Sequence, residues 1–151
     1  MKLKAFLDTN ILLDVLQQGR PFSEYSITIL QAVFSCHIEA LITTQSIVDA
    51  SFIAKKAGYT DSFFETVKRW CNYINVDYIS TFDINNAIRE NSGDFEDDVQ
   101  VARALDTCCD VFVTSDNNLR KHYNGKYEFL QFMSPEEFVS KLKGEAIPSQ
   151  I

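Results

Sequence analysis

Leu3–Leu16 reads LKAFLDTNILLDVL, and this stretch decides the fold. Its first five residues form an apolar run too short for a helix and closed by an acid, as in a strand buried on both faces. From Asn10 to Leu16 the apolar residues fall at helical spacing. A strand running straight into a helix is the opening of a β-α unit, and parallel sheets are assembled from such units.

The rest of the chain repeats the alternation. Arg20-Pro21 breaks the first helix, and Ser23 is placed to cap a second one through Ile27, Leu30, Val33 and Phe34. Ala40–Thr44 (ALITT) predicts a strand, and Ser46–Ala57 a helix closed by Gly58. Asp61 is placed to cap the next helix, striped by Phe64, Val67, Trp70, Cys71 and Ile74. Val76–Ser80 predicts a short strand and Ile84–Asn91 a helix. Asp94 caps a helix over Phe95–Cys108, Asp110–Thr114 (DVFVT) is a strand of high β-propensity, and Tyr127–Phe132 is the last strand. Ser134-Pro135-Glu136-Glu137 then opens a helix with a cap residue, Pro at the first helical position and Glu at the third. The order predicts one α/β domain over residues 1–144, a mostly parallel sheet with helices on both faces, and a loosely ordered tail over 145–151.

Composition sets the remaining bounds. With 151 residues, 46% of them apolar and twelve of them Phe, the chain fills one core, and no Pro/Gly/Ser-rich linker divides it. Asp8 interrupts the apolar run that an export signal would need, and no window has the length of a membrane span. Cys36, Cys71, Cys108 and Cys109 lack C-x-x-C spacing and read as small structural residues, the last two in the core. These features predict a cytoplasmic protein. A formal charge of −7 opposes nucleic-acid binding unless the excess is local and neutralised by cations, or the partner is itself basic.

The positions of the acids carry the chemistry. Asp8 follows the first strand and Asp116 follows DVFVT by two residues, so a parallel sheet brings both to its carboxyl edge, where such sheets bind ligands. Asp49 lies early in the helix after the second strand, and Asp97 in the first turn of the helix before DVFVT. Two carboxylates about 4 Å apart repel by roughly 4 kcal/mol at a moderate dielectric, so four together must be partly protonated or hold a cation. An all-oxygen donor set suits Mg²⁺ or Mn²⁺ rather than zinc. Asp14 reads as a support to the cluster or a solvated residue. Asp61, Asp83, Asp94 and Asp110 read as caps and turn formers.

The segments FLDTNILLDVL at Phe6–Leu16, DFEDDVQVARAL at Asp94–Leu105 and DVFVTSDNNL at Asp110–Leu119 resemble the PIN-domain family. They are especially similar to its small prokaryotic toxin-type members, the VapC-like ribonucleases. The resemblance spans nearly the whole chain. It implies a five-stranded sheet in a three-layer α/β/α domain and a metal-dependent endoribonuclease acting on single-stranded RNA as the toxin of a toxin–antitoxin pair. Asp8, Asp49, Asp97 and Asp116 match the family acids, with Mg²⁺ or Mn²⁺ as cofactor. Thr9 and Asn10 match the polar pair beside the first acid, and Thr114 and Ser115 are placed to orient Asp8 or hold phosphate. Arg120, Lys121 and Lys126 are candidate phosphate contacts or a solvated loop. A basic-tailed antitoxin and a homodimer are the implied partners.

Two departures stand out. Asp49 occupies a position where the family commonly has Glu, and Asp98 follows the third acid where a small residue is usual. Asp98 therefore joins the cluster or sits at a frayed helix start, and Glu96 is a further contributor. Asp49 also keeps open an alternative, a catalytically inactive PIN-like domain that binds RNA or protein. A haloacid-dehalogenase phosphatase would need an acid where Asn10 stands. A response-regulator receiver would need an N-terminal acidic pair and a Lys after the last strand.

Overall fold

The computed structural model describes residues 2–17 and 19–146, with the side chains of 145 and 146 left aside. Five strands, β1 (Lys4–Leu7), β2 (Glu39–Thr43), β3 (Asn75–Asp77), β4 (Val111–Val113) and β5 (Gln131–Met133), form a sheet of order β3-β2-β1-β4-β5. Every pairing is parallel, so the sheet is wholly rather than mostly parallel. The chain moves outward from β1 to β3, then returns to the other side of β1. The point of reversal therefore lies between β1 and β4, and their carboxyl ends border the crevice where open α/β sheets bind ligands.

The helices are α1 (Thr9–Leu16), α2 (Ser23–Phe34), α3 (Thr44–Ala57), α4 (Thr60–Trp70), α5 (Thr81–Glu90), α6 (Phe95–Asp106), α7 (Asn117–Tyr123) and α8 (Pro135–Ala146). Successive strand residues point to opposite faces. Ala5, Leu7, Ala40, Ile42, Val111 and Val113 enter a core with Ile11, Ile29, Ala50, Trp70 and Phe138 from α1, α2, α3, α4 and α8. Phe6, Leu41 and Phe112 enter the opposite core with Val101, Leu119 and Tyr123 from α6 and α7. Phe6 stacks on Phe112 with ring centroids 4.9 Å apart. Two cores on one sheet make the three-layer α/β/α architecture.

Several boundaries differ from the sequence reading, each for a local reason. The N-cap of α2 is Phe22, and the Ser23 hydroxyl instead bonds the Gln17 carbonyl at 3.3 Å. Tyr59 precedes α4, which leaves Asp61 in its first turn rather than at its cap. The buried ring of α4 is Phe63, at 4% exposure, while Phe64 is 64% exposed. Helix α5 begins three residues before Ile84, because Ser80 and Asp83 close a capping box. Only Cys109 is buried; Cys36, Cys71 and Cys108 are exposed, and all four are free thiols. Strands β3, β4 and β5 are each shorter than expected, at 3 residues. Tyr127 leaves the expected last strand and stacks against Tyr123. Helix α7 was not legible in the sequence at all.

Other elements match the reading. Gly58 closes α3 at φ 81°, a left-handed conformation open to glycine at no steric cost. Asp94 caps α6 by accepting from the Asp97 amide at 3.1 Å. Ser134 and Glu137 close a reciprocal capping box on α8. That helix continues to Ala146, and the rest of the expected tail lies outside the described residues. No helix among the described residues is long and apolar enough to cross a membrane.

Candidate active site

Asp8 ends β1 and caps α1, so one side chain finishes a strand, starts a helix and faces the crevice. It is 6% exposed. One carboxylate oxygen accepts the Thr9 amide at 2.7 Å and the other accepts the Thr114 hydroxyl at 2.7 Å, with the Asn10 amide at 3.5 Å. Burial pushes the Asp8 carboxyl above its usual range; these hydrogen bonds pull it down, and neighbouring Asp116 adds to the rise.

Thr114 is fully buried at the end of β4 and joins two acids. Its hydroxyl donates to Asp8 and accepts the Asp116 amide at 3.1 Å. Asp116 in turn caps α7, accepting from the amides of Asn118 at 2.8 Å and Leu119 at 3.1 Å. Ser115 is half-buried between them. A second polar relay holds the other side of Asp8. The Thr9 hydroxyl donates to Ser46 at 2.9 Å, which links the end of β1 to α3, and accepts from the Gln100 amide at 3.5 Å.

The first turn of α6 supplies the tension. Asp97 is held within Coulombic reach of Asp8, Asp94 and Asp116, and with burial these push its carboxyl up to about 8. Glu96 is likewise raised, by burial first and then by Asp49, with Asp8 and Asp94 contributing less. Asp49 and Glu96 share a carboxyl–carboxylate hydrogen bond, and Asp49 also accepts the Gln45 amide at 2.8 Å. Asp8, Asp97 and Asp116 thus form one group, and Asp49 with Glu96 an adjoining pair linked to it through Glu96 and Asp8.

Among the described residues, no three Asp, Glu, His or Cys side chains already converge as a cage for a metal ion. The fit to a divalent cation lies in the donor chemistry. The donors are all carboxylate oxygens, and Asp97 near neutral pH keeps a proton that a cation would displace.

Other candidate residues are placed away from this group. Asp98 is 2% exposed and neither joins the acids nor frays. It accepts from the Ser92 amide at 2.9 Å, the Ser92 hydroxyl at 2.5 Å and the Tyr123 phenol, on the far side of α6. Asp14 is neither a support to the cluster nor solvated; it is buried, braced by Arg20 at 2.7 Å and Ser26 at 3.0 Å. Arg120 bonds the Thr114 carbonyl at 2.5 Å, beside the site, and Lys121 is exposed on α7. Lys126 is paired with Glu90 and lies over the Tyr123 ring at 5.5 Å. Gln100 escaped the sequence reading. It lies one turn beyond Glu96 on the same helix face, in a position that periodicity alone assigns to the core.

The comparisons agree with this architecture. The chain superimposes on a toxin–antitoxin complex from Klebsiella pneumoniae at a TM-score of 0.62 and 19% identity, covering 87% of this chain and 97% of that one. VapBC2 from Rickettsia felis, bound to a DNA fragment from its promoter, matches at 0.63 and 12%, covering 87% and 98%. VapC20 from Mycobacterium tuberculosis, a Sarcin–Ricin loop cleaving toxin, matches at 0.63 and 10%, covering 76% and 92%. At these identities the likeness is one of fold. No protein of curated function matches in sequence. The PIN domain family model matches residues 4–118, from β1 into α7, and the chain belongs to the PIN-domain family.

Proposed function

We propose that the chain is a Mg²⁺- or Mn²⁺-dependent endoribonuclease that cleaves single-stranded RNA, as the toxin of a toxin–antitoxin pair. The observation that carries this reading is Asp97, whose carboxyl is pushed up to about 8 by burial and then by its place against Asp8, Asp94 and Asp116. Such placement weakens an isolated protein and favours one that binds cations. Asp8, Asp97 and Asp116 would hold the metal, with Asp49 and Glu96 alongside. Bound divalent cations polarise a phosphodiester and raise the acidity of an attacking water.

The chain's own groups do the rest. Thr114 fixes the Asp8 carboxylate and the Asp116 backbone together. The amide of Thr9 and the N-terminal turn of α7 fix the other oxygens of these two acids. A free carboxylate of the cluster takes the proton of the attacking water as the bond from phosphorus to the leaving oxygen breaks. Arg120 and the exposed Lys121, both on α7, are the candidate contacts to the RNA backbone. Single strands are the favoured substrate because their unstacked bases are what proteins read most readily.

The partner fits the same surface. A basic antitoxin segment complements a chain of charge −7. Val48, Phe52 and Phe64 stand 49% to 64% exposed on α3 and α4, an apolar surface for such a partner or for a second copy in a homodimer.

The test is cleavage of a labelled mixed RNA pool with Mn²⁺ or with EDTA, by wild type and Asp97→Asn. Cutting that needs Mn²⁺ and vanishes in the variant supports the reading. Absence of both cutting and Mn²⁺ uptake in calorimetry leaves an inactive binding domain in its place.

A further inference from the structure

Beside the acids lies a cleft of about 320 Å³ between α3, α6 and the segment leading into α5. Ile79, Ile84 and Val99 form its apolar walls, and Phe95, 52% exposed, stands at its edge. Its polar groups are Asp49, Glu96, Gln45 and Gln100. Gln100 is only 2% exposed, and its carbonyl oxygen is buried without a hydrogen-bond partner. A buried carbonyl without a partner is destabilising, and a donor entering the cleft that Gln100 lines would relieve it.

The orientation of this amide follows from its neighbour. The Thr9 hydroxyl spends its proton on Ser46 and accepts from Gln100, so the Gln100 NH₂ faces Thr9 and its oxygen is the free end. One N–H of the Gln45 amide is committed to Asp49. What the cleft offers is therefore mainly acceptors: the Gln100 carbonyl and the remaining lone pairs of the Asp49 and Glu96 carboxyl groups, over apolar walls with a ring at the edge.

We propose that this cleft is a base-recognition subsite that selects guanine next to the scissile phosphate. The inference rests on the ribonuclease reading above. Guanine alone among the four RNA bases presents two adjacent donors, N1–H and N2–H₂, on its pairing edge. Adenine and cytosine each place an acceptor beside their amine, and uracil flanks its single N–H with two acceptors. An acceptor-lined wall thus satisfies guanine and leaves any other base with opposed lone pairs. Splayed bases are read in this manner, by their pairing edge and by stacking on an aromatic ring, the role of Phe95. Because Asp49 and Glu96 border both cleft and acids, the selected base neighbours the cleaved bond.

The test uses the full chain and an unstructured RNA with a single guanosine, against the same RNA with inosine, which lacks only the exocyclic amine. Wild type with Mn²⁺ is expected to cut beside the guanosine, with kcat/KM about tenfold lower for inosine. Gln100→Met should cut the two RNAs equally. Equal cutting of both by wild type, or cutting remote from the guanosine, overturns the inference. The wild-type comparison decides even if Gln100→Met fails to fold. If wild type cuts neither RNA, the mixed RNA pool decides the ribonuclease reading, and fluorescence anisotropy of the two RNAs with Ca²⁺ decides the subsite. About tenfold tighter binding of the guanosine RNA sustains it, and equal affinities overturn it.

Discussion

Asp97→Asn separates the stability of the fold from the demands of the site. The Asp97 carboxyl lies at about 8 in the folded chain against an ordinary 3.8, through burial first and then Asp8, Asp94 and Asp116. The folded state therefore holds this proton more tightly than the unfolded state does. The associated stability is fully present below pH 3.8, declines as pH rises, and is gone above about 8. Asn carries no charge at any pH and removes the decline. Each pKa unit is worth about 1.4 kcal/mol, so the full shift corresponds at face value to about 6 kcal/mol. Asp97 is only half-buried, and solvent and salt screen it, so the expected gain of the variant at pH 8.5 is about 1–2 kcal/mol. Urea unfolding in EDTA reads this as a midpoint about 1 M higher than wild type, with the gap closing toward pH 4. Mn²⁺ should reverse the order, because ligand binding stabilises the wild type by RT ln(1 + [L]/Kd) and the variant less. If Asp97→Asn in EDTA at pH 8.5 is no more stable than wild type, the carboxyl is not under tension and the argument for the cluster fails.

Three further outcomes follow from the networks around the site. Thr114→Val removes the donor to Asp8 and the acceptor for the Asp116 amide, and should weaken Mn²⁺ binding about tenfold by calorimetry, as loss of a supporting hydrogen bond does. The Asp8 carboxyl rises further in that variant, so Mn²⁺ uptake should move to higher pH. Tyr123→Phe deletes the phenol donor to buried Asp98 and should cost about 1–3 kcal/mol in urea unfolding, with Mn²⁺ uptake unchanged. Arg103→Met strips the cation from Asp83 at 3.4 Å, Asp77 at 3.7 Å and Asp106. It should cost about 3–5 kcal/mol, because a buried charge is left uncompensated. An unchanged unfolding midpoint in either of the last two variants would show that these contacts are not formed in solution.

What was legible in the sequence is what depends on neighbours along the chain. The apolar run of β1, the cap at Asp94, the turn at Gly58 and the capping box at Ser134 each rest on residues within four positions of one another. The lines that failed depend on distant partners. Asp98 falls in the apolar stripe of α6, yet it is held by Tyr123, 25 residues on, and no periodicity shows that bond. Helix α7 has seven residues, too few for a periodic signal, and it exists because Asp116 caps it at the end of β4. Phe63 and Phe64 are adjacent aromatics, so an error of one residue in helical phase exchanges buried for exposed. Among the acids, Asp8 and Asp116 were marked by their place at strand ends. Gln100 carried no such mark, since its meaning depends on the free proton count of Thr9 across the sheet edge.

The buried acids divide by what faces them. Asp14, Asp83 and Asp98 lie within the fold and each meets donors: Arg20 and Ser26 for the first, Ser80 and Arg103 for the second, Ser92 and Tyr123 for the third. Their neighbours offset the cost of burial, and these acids hold helices together. Asp97, half-buried, and Glu96, exposed at its surface, are instead pushed upward, by burial first and then by the other carboxyl groups they meet. The buried acids, Asp8 included, are each matched to donors, and the electrostatic conflict falls on the less buried carboxyl groups beside the crevice between β1 and β4. The place of that conflict, at the carboxyl ends of β1 and β4, is what the proposed cation site rests on. The topology supplies the reason for the place. Reversal of the chain between β1 and β4 opens the only edge where the ends of two neighbouring central strands diverge, and the acids that cap α1 and α7 are carried there by the same step that starts those helices.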